Sequence, residues 1–253
     1  MGMFNRARIT LPASSPRVAG PRRRADRGFR PEACLLEERR VLSTFTVTNT
    51  SGSTTVEGSL PWAVQQANYT SPGLDYIHFA IPGSGPHVIH VTDTLYLNEQ
   101  VVVDGRTQPG YAGSPQVVIQ GDGKPPSLFL LHLQSSGSTI RGLAMVGYTA
   151  NAVTIFNASQ GNWILDNYMG FAYDAAGHVT LNKASAPESA GIGIQSSYNT
   201  VRWNTISGVY NGVNMGGDGA KPWDGTEYVQ NAIMENKIGT DPTGSTANGF
   251  GND

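Results

Sequence analysis

A nine-residue pattern of two asparagines and two apolar residues occurs three times in this chain. It reads NWILDNYMG at 162–170, NTVRWNTIS at 199–207 and NAIMENKIG at 231–239. A degenerate copy, STIRGLAMV, stands at 138–146. The copies begin at 138, 162, 199 and 231, which is 24, 37 and 32 residues apart, and periods of roughly 20–50 residues are typical of solenoids. Irregular spacing at constant motif length predicts a different loop insertion in each turn.

Four columns persist when the copies are aligned, and all other positions vary. The asparagine columns hold Asn162, Asn199 and Asn231, then Asn167, Asn204 and Asn236, and the apolar columns hold Ile140, Ile164, Val201 and Ile233, then Met145, Met169, Ile206 and Ile238. Side chains alternate along a strand, so both apolar columns can point inward if a bend lies between them. Asparagine suits the bend, because it tolerates the left-handed conformation and its amide can bond the same residue one coil away. The pattern predicts a parallel β-helix.

The rest of the chain agrees with an all-β fold. Thirty-one glycines and a 14% charged content accompany short runs rich in Val, Ile and Thr, which is typical of turn-rich β proteins. STFTVTNT at 43–50 alternates as a half-buried strand. From residue 75 further short strands are predicted: YIHFAI, HVIHVT, QVVVDG, QVVIQG, STIRGLAMV and AVTIF. No helix is expected between them.

One short helix is predicted before these strands, over about 59–69, in GSLPWAVQQAN. Ser59 would be its N-cap and Pro61 would lie in its first turn, where a missing N–H costs nothing. Its apolar face comprises Leu60, Ala63, Val64 and Ala67. A helix this short is marginal alone, so we expect it to cover the open end of the solenoid.

Charge divides the chain into a basic leader and an acidic body. The first 40 residues carry ten Lys and Arg against four acidic residues, whereas 41–253 carry seven against fifteen, a net charge of −8. Residues 1–43 are predicted to be a disordered leader. They lack interleaved aromatic residues and a recognition helix, which disfavours nucleic-acid binding. They also lack an apolar run long enough for a standard signal peptide or a membrane span.

The leader ends in RPEACLLEERRVLS at 30–43. This stretch resembles the short LE-x-R-x-LL motif at the N-terminus of many bacterial surface and secreted proteins. The resemblance implies export ahead of a repetitive β-rich domain. The alternative is a short amphipathic helix, because four apolar residues stand at near-helical spacing between charges: Leu35, Leu36, Val41 and Leu42.

Residues 44–253 resemble a wider group. DGRTQPGYAGSPQVVIQG, STIRGL, NYMG, NTISG and NKIGTDPTG are similar to signature phrases of right-handed parallel β-helix proteins with pectate-lyase-like architecture. The group opens on a segment like GSLPWAVQQAN, in which Pro61 here replaces the common Arg. The resemblance implies an all-β, single-stranded, right-handed parallel β-helix with a short N-terminal cap helix.

A β-helix can be a hydrolase, a lyase or an inert stalk. Glycoside hydrolysis needs two carboxylates at one sugar bond, and the best local pair is Asp224 with Glu227, beside Trp223 in GGDGAKPWDGTEYV at 216–229. The alternative is a solvated loop whose aspartates cap turns. The Asn-Thr-Asp, Asp-Asp and Gly-His-Gly motifs of polygalacturonase-type β-helices are not reproduced.

A polyuronate lyase needs a base and a cation beside the uronate carboxylate. Arg202 is the candidate base, with Arg141 at the equivalent place in the earlier copy, and Ca²⁺ is expected only if the protein is a lyase. Asp174 and Asp241 recur in the phrase D-x-x-G, so they are interpreted as turn formers. No metal site or other cofactor is predicted. His87 and His90 fall on opposite strand faces, His178 is expected to be exposed, and His78 and His132 are expected to be hydrogen-bonded core or boundary residues.

Aromatic residues at variable positions give the strongest binding signal. Trp163, Trp203 and Tyr210, with Trp223, are the candidates for stacking on carbohydrate, and Tyr198 stands among them. The alternatives are packing under a loop insertion and contact with a protein partner.

Together these patterns predict a secreted or cell-surface β-helix scaffold, adhesin-like, that contacts a polysaccharide or cell-surface glycan. The alternative is a polysaccharide lyase or glycoside hydrolase of the pectate-lyase-like type. TANGFGND at 246–253 ends where another coil is expected, so truncation and end-to-end self-association through exposed strand edges are further expectations.

Overall fold

A computed structural model describes residues 42–70, 73–123, 129–156, 158–174, 176, 178–181, 189–216 and 230–245. These ranges contain one α-helix and twenty strands. The strands form three all-parallel sheets and one antiparallel hairpin. The chain is therefore a parallel β-helix, as the asparagine pattern predicts. Nearly all of the basic leader 1–43 lies outside the described residues.

The secondary structure follows the chain in short elements. The first are β1 (Thr44–Val47), α1 (Leu60–Tyr69), β2 (Asp75–Phe79), β3 (His87–Val91), β4 (Leu95–Leu97), β5 (Val101–Asp104), β6 (Val117–Gly121) and β7 (Leu131–Leu133). Next come β8 (Thr139–Arg141), β9 (Ala144–Val146), β10 (Asn151–Ile155), β11 (Trp163–Leu165), β12 (Tyr168–Met169), β13 (Phe171–Tyr173) and β14 (Val179–Leu181). The last are β15 (Ala190–Ile194), β16 (Thr200–Arg202), β17 (Thr205–Ile206), β18 (Asn211–Met215), β19 (Ala232–Met234) and β20 (Lys237–Ile238).

Each complete coil contributes one strand to each of three sheets. Sheet A holds β1, β2, β5, β8, β11, β16 and β19; sheet B holds β3, β6, β9, β12, β17 and β20; sheet C holds β4, β7, β10, β15 and β18. The chain winds from A to B to C and then enters A again, so that β2, β3 and β4 form the first complete coil. The right-handed sense of this winding stays a prediction of the resemblance.

Strand register confirms both apolar columns. In sheet A, Ile164 pairs with Ile140 on one side and with Val201 on the other, and Val201 pairs with Ile233. In sheet B, Met169 pairs with Met145 on one side and with Ile206 on the other, and Ile206 pairs with Ile238. These residues are fully buried except in the last described coil. The repeat therefore encodes the core of the solenoid.

The asparagines form two ladders that run along the solenoid. The backbone N–H of Asn162 donates to Oδ1 of Asn199 at 3.0 Å, and that of Asn199 donates to Asn231 at 2.9 Å. The second ladder joins Asn167 to Asn204 at 3.0 Å and Asn204 to Asn236 at 2.9 Å. Each amide thus satisfies backbone groups at a bend that no sheet hydrogen bond reaches.

The prediction that asparagine itself adopts the left-handed conformation is wrong. Asp166, Trp203 and Glu235, each one residue before an asparagine of the second ladder, have φ of 52°, 60° and 56°. The residue before the asparagine makes the bend and turns its side chain outward. The amide that follows can then lie inside the coil and bond its neighbour. This division of roles explains why the asparagine recurs and the preceding residue varies.

Helix α1 confirms the predicted cap. The Ser59 side chain accepts from the N–H of Trp62 at 3.1 Å, and Pro61 lies in the first turn. The predicted face is buried, and the helix contacts β1, β2 and β4. It therefore covers the first coil. Among the described residues no helix has the length and apolar character to cross a membrane.

Several elements escaped sequence prediction. Strands β4 and β7 are three residues long, and β15 reads AGIGI, so none shows a clear alternating pattern. The hairpin of β13 and β14 was also missed. It occupies the longest interval between repeats, and its Ala172 packs with Val118, Ala144 and Val146 on the outer surface of sheet B. The loop insertion predicted in this interval therefore contributes a side chain to a small second hydrophobic core.

Candidate functional site

Arg202, the candidate lyase base, ends β16 at the corner between sheets A and B. Its Nε donates to Oε2 of Glu235 at 2.6 Å, and its guanidinium lies 4.0 Å from the ring centroid of Trp203. The hydrogen bond that Arg202 donates to Glu235 raises the pKa of Arg202 and lowers the pKa of Glu235. A general base must be unprotonated when it accepts the proton of the substrate, so an ion pair that raises the pKa of Arg202 disfavours the predicted role.

Arg141 lies in the same outward column as Arg202, but the two do not stack. Leu165 stands between them, since it pairs with Arg141 on one side and with Arg202 on the other. Arg141 instead binds the buried carboxylate of Asp104 at 2.6 Å. Equivalent places in the repeat therefore do not bring the two arginines into contact.

A further ion pair extends this charged row. Arg106 follows β5 and binds Asp166, which follows β11, at 2.9 Å. The three arginines on this corner are thus each held by a carboxylate from another coil. Such pairs tie coils together at modest energetic gain when partly exposed. The charged side chains of this corner therefore connect one coil to another.

The predicted hydrolase site lies outside the described residues, which include neither Asp224 nor Glu227 nor Trp223. Their roles as acid, base and stacking platform stay predictions.

The turn interpretation of the two recurring aspartates is confirmed. Oδ1 of Asp174 accepts from the backbone N–H groups of Ala176 at 2.9 Å and His178 at 2.8 Å, and these bonds, chiefly that from His178, lower the pKa of Asp174. Oδ1 of Asp241 accepts from the N–H of Ser245 at 3.1 Å. Within the described part of the chain, no group of three or more His, Cys, Asp or Glu side chains is placed to hold a metal.

The described aromatic candidates are exposed but lie on three different corners. Trp163, Tyr198, Trp203 and Tyr210 are 47%, 50%, 47% and 46% exposed. Trp163 begins β11 and pairs with Thr200, so Trp163 and Tyr198 occupy adjacent coils where sheet C passes into sheet A. Trp203 lies between sheets A and B, and Tyr210 between sheets B and C. Of these four residues, Trp163 and Tyr198 are the two that share a corner.

A second aromatic group was missed by sequence analysis. It lies on the outer face of sheet C, where Tyr96, Phe129 and Phe156 surround His132. His132 is buried, as expected, but the expectation that it is hydrogen-bonded is wrong: neither ring nitrogen has a partner among the described residues. The signal was the pair LYL at 95–97 and LHL at 131–133, which align only once the coils are known.

The predictions for His87, His90 and His178 are confirmed. His87 is buried and His90 exposed on the same strand, and His178 is exposed. The last described coil exposes Ile233 and Ile238, and end-to-end self-association stays a prediction.

No family profile matches this chain, and a search of curated proteins finds no relative. The resemblance to pectate-lyase-like proteins therefore stays a prediction. The parallel β-helix is shown by the strand pairing itself.

Proposed function

We propose that this protein is a secreted or cell-surface β-helix scaffold that contacts a neutral glycan through exposed aromatic rings. The observation that carries the proposal is the pair Trp163 and Tyr198, half-exposed on adjacent coils of one corner. Large rings contribute contact area at low entropic cost and combine an apolar body with a polar tip. Those properties suit the alternating apolar faces and hydroxyl groups of sugars.

The charge of the body favours a neutral ligand. Residues 41–253 carry a net charge of −8, and a like-charged polymer is repelled over about 8–10 Å at physiological ionic strength. The charged row at the corner of sheets A and B adds no free cation, because Arg106, Arg141 and Arg202 are each paired with a carboxylate. A neutral polysaccharide meets no such barrier.

The scaffold role is supported by how the coils are joined. Two asparagine ladders and two ion pairs link successive coils, and the pair of Arg106 with Asp166 connects the second coil to the fourth. Stacked repeats present extended surfaces along one axis. The leader motif at 30–43 supports export. The alternative lyase or hydrolase rests on Asp224 and Glu227, and nothing among the described residues favours it.

Affinity electrophoresis of the full chain in gels containing glucan, mannan or xylan tests the proposal. We expect retardation by at least one of these polymers. The double variant Trp163→Ala/Tyr198→Ala should weaken binding about tenfold or more, because each lost ring contact contributes about 0.5–1.5 kcal/mol.

Tyr69→Ala is the matched control, because Tyr69 is an exposed aromatic residue on helix α1. It should bind like the parent protein. Equal losses in the control and the double variant, or no retardation by any neutral polymer, would contradict the proposed contact.

A further inference from the structure

The outer face of sheet C carries a compact aromatic group, the sheet C patch, formed by Tyr96, Phe129, His132 and Phe156. Strand register stacks Tyr96 of β4 directly on His132 of β7, and His132 on Thr154 of β10. The His132 ring centroid lies 5.1 Å from that of Tyr96, 5.6 Å from that of Phe129 and 5.1 Å from that of Phe156. Three successive coils thus build one surface.

His132 is an unusual centre for this surface. Its side chain is only 8% exposed, and neither Nδ1 nor Nε2 has a hydrogen-bond partner among the described residues. Burial lowers the pKa of His132, so the ring is neutral near pH 7 and offers one donor and one acceptor. Buried polar groups without partners are rare in folded proteins, and this one faces outward from the sheet.

The rim of the sheet C patch is accessible. Tyr96 is 45% exposed and Phe156 is 38% exposed. Exposed side chains change rotamer within picoseconds to nanoseconds, so either ring can turn aside to admit a polar group to His132. The patch can therefore present two stacking faces and a hydrogen-bonding ring at one place.

A polar strip continues the surface towards later coils. The amide of Asn151 donates to Oγ1 of Thr154 at 3.0 Å and accepts from the N–H of Ala190 at 3.2 Å. It lies over Gly193, where an added Cβ would come within 2.4 Å of Asn151 Nδ2. The half-buried amide retains one N–H and one lone pair for a ligand.

We propose that the sheet C patch is a binding subsite for a neutral oligosaccharide, with one sugar ring stacked on Tyr96 and Phe156 and its hydroxyl groups bonded by His132 and Asn151. The inference rests on the proposed function and adds a second place of contact. The side chains that lie against His132 in the ring contacts and the strand register are uncharged, namely those of Tyr96, Phe129, Phe156 and Thr154, so an anionic or cationic sugar gains no ion pair from them. Apolar faces combined with amide and imidazole groups fit a polyhydroxylated ring better than a purely apolar ligand.

The test uses the full chain and hexasaccharides of β-glucan, xylan and mannan, with oligogalacturonate as the charged comparison. We expect Tyr96→Ala and Phe156→Ala each to weaken binding of a neutral hexasaccharide about threefold to tenfold, and Tyr96→Phe to bind within about twofold of the parent. Phe156→Leu removes the aromatic ring but keeps an apolar side chain over His132. Weaker sugar binding by this variant would therefore reflect lost stacking and not a loss of folding. The imidazole ¹⁵N signals of His132 should shift on addition of the neutral hexasaccharide and stay in place with oligogalacturonate.

The outcomes separate this inference from the proposed function. If Trp163→Ala/Tyr198→Ala loses binding while the patch variants bind normally and the His132 signals do not move, the subsite is refuted and the scaffold proposal stands. If no neutral hexasaccharide binds, both fail. If the patch variants instead change the sedimentation of the full chain and leave sugar binding intact, the patch is an interface between copies and the inference is overturned.

Discussion

Replacing Asn204 with alanine should lower the free energy of unfolding by about 3–5 kcal/mol, since each buried hydrogen-bonding group left without a partner costs about 1–3 kcal/mol. Asn204 is fully buried. Its Oδ1 accepts from both the backbone N–H and Nδ2 of Asn167 at 3.0 Å, and its Nδ2 donates to the carbonyl of Ile164 at 2.8 Å. Its Nδ2 also donates to the carbonyl of Arg202 at 3.1 Å and to Oδ1 of Asn236 at 3.0 Å, and alanine removes all of these bonds where water cannot replace them. Urea denaturation with a check for equal m-values measures the loss.

Asn236→Ala is the matched control within the same ladder. Asn236 makes corresponding bonds, with Oδ1 accepting from the N–H of Asn204 at 2.9 Å and Nδ2 donating to the carbonyl of Val201 at 2.9 Å. It is half-buried, so water can satisfy part of what alanine leaves unpaired, and we expect a loss of about 1–2 kcal/mol. Equal losses at Asn204 and Asn236 would mean that burial of the ladder does not set its energetic contribution.

Gly170→Ala should also destabilise the protein strongly. Gly170 has φ of +83°, and an added Cβ would lie 1.9 Å from the carbonyl oxygen of Ser207 in the next coil. The left-handed conformation costs a non-glycine residue about 1–2 kcal/mol, and overpacking adds about 1–3 kcal/mol. We therefore expect a total loss of about 2–5 kcal/mol, measured by the same denaturation experiment.

Gly110→Ala isolates the conformational part of that cost. Gly110 has φ of +91°, but an added Cβ would meet nothing within 4 Å. Its alanine variant should lose only about 1–2 kcal/mol. If Gly170→Ala and Gly110→Ala lose the same amount, the close stacking of the fourth and fifth coils is wrong.

The sequence specified the core of this fold because the core is periodic. One inward apolar residue per strand recurs at the same place in each coil, so aligning Ile164 with Val201 and Ile233 was enough to predict their pairing. The bend was predicted less well. Asparagine tolerates left-handed backbone and was therefore expected to make the turn, but its side chain lies inside the coil and the residue before it makes the turn. Only the coordinates show that Asp166, Trp203 and Glu235 make the turn.

The candidate site was harder to predict, because outward residues become neighbours only through the register of the coils. Arg141 and Arg202 occupy equivalent positions in the sequence repeat, yet the coil between them places Leu165 there. Tyr96 and His132 stand 36 positions apart in the numbering and stack directly. Loop insertions of different lengths conceal such pairs in the linear sequence.

The carboxylates of the described charged corner are held by arginines. The hydrogen bond from Arg202 holds the pKa of Glu235 below its ordinary value, and Asp104 and Asp166 each bind an arginine. A general acid needs a carboxyl that remains protonated near neutral pH, which requires a raised pKa. The hydrogen bond from Arg202 stabilises the ionised form of Glu235 instead, which does not suit a general acid.

The most direct measurement is the release of new chain ends from neutral and acidic polysaccharides by the full chain, with calcium and with chelator. A scaffold that contacts glycan should bind a neutral polymer and release no reducing or unsaturated ends from any polymer under either condition. Release that is lost in Asp224→Asn/Glu227→Gln or in Arg202→Lys would contradict the scaffold and show that the protein is a polysaccharide-cleaving enzyme.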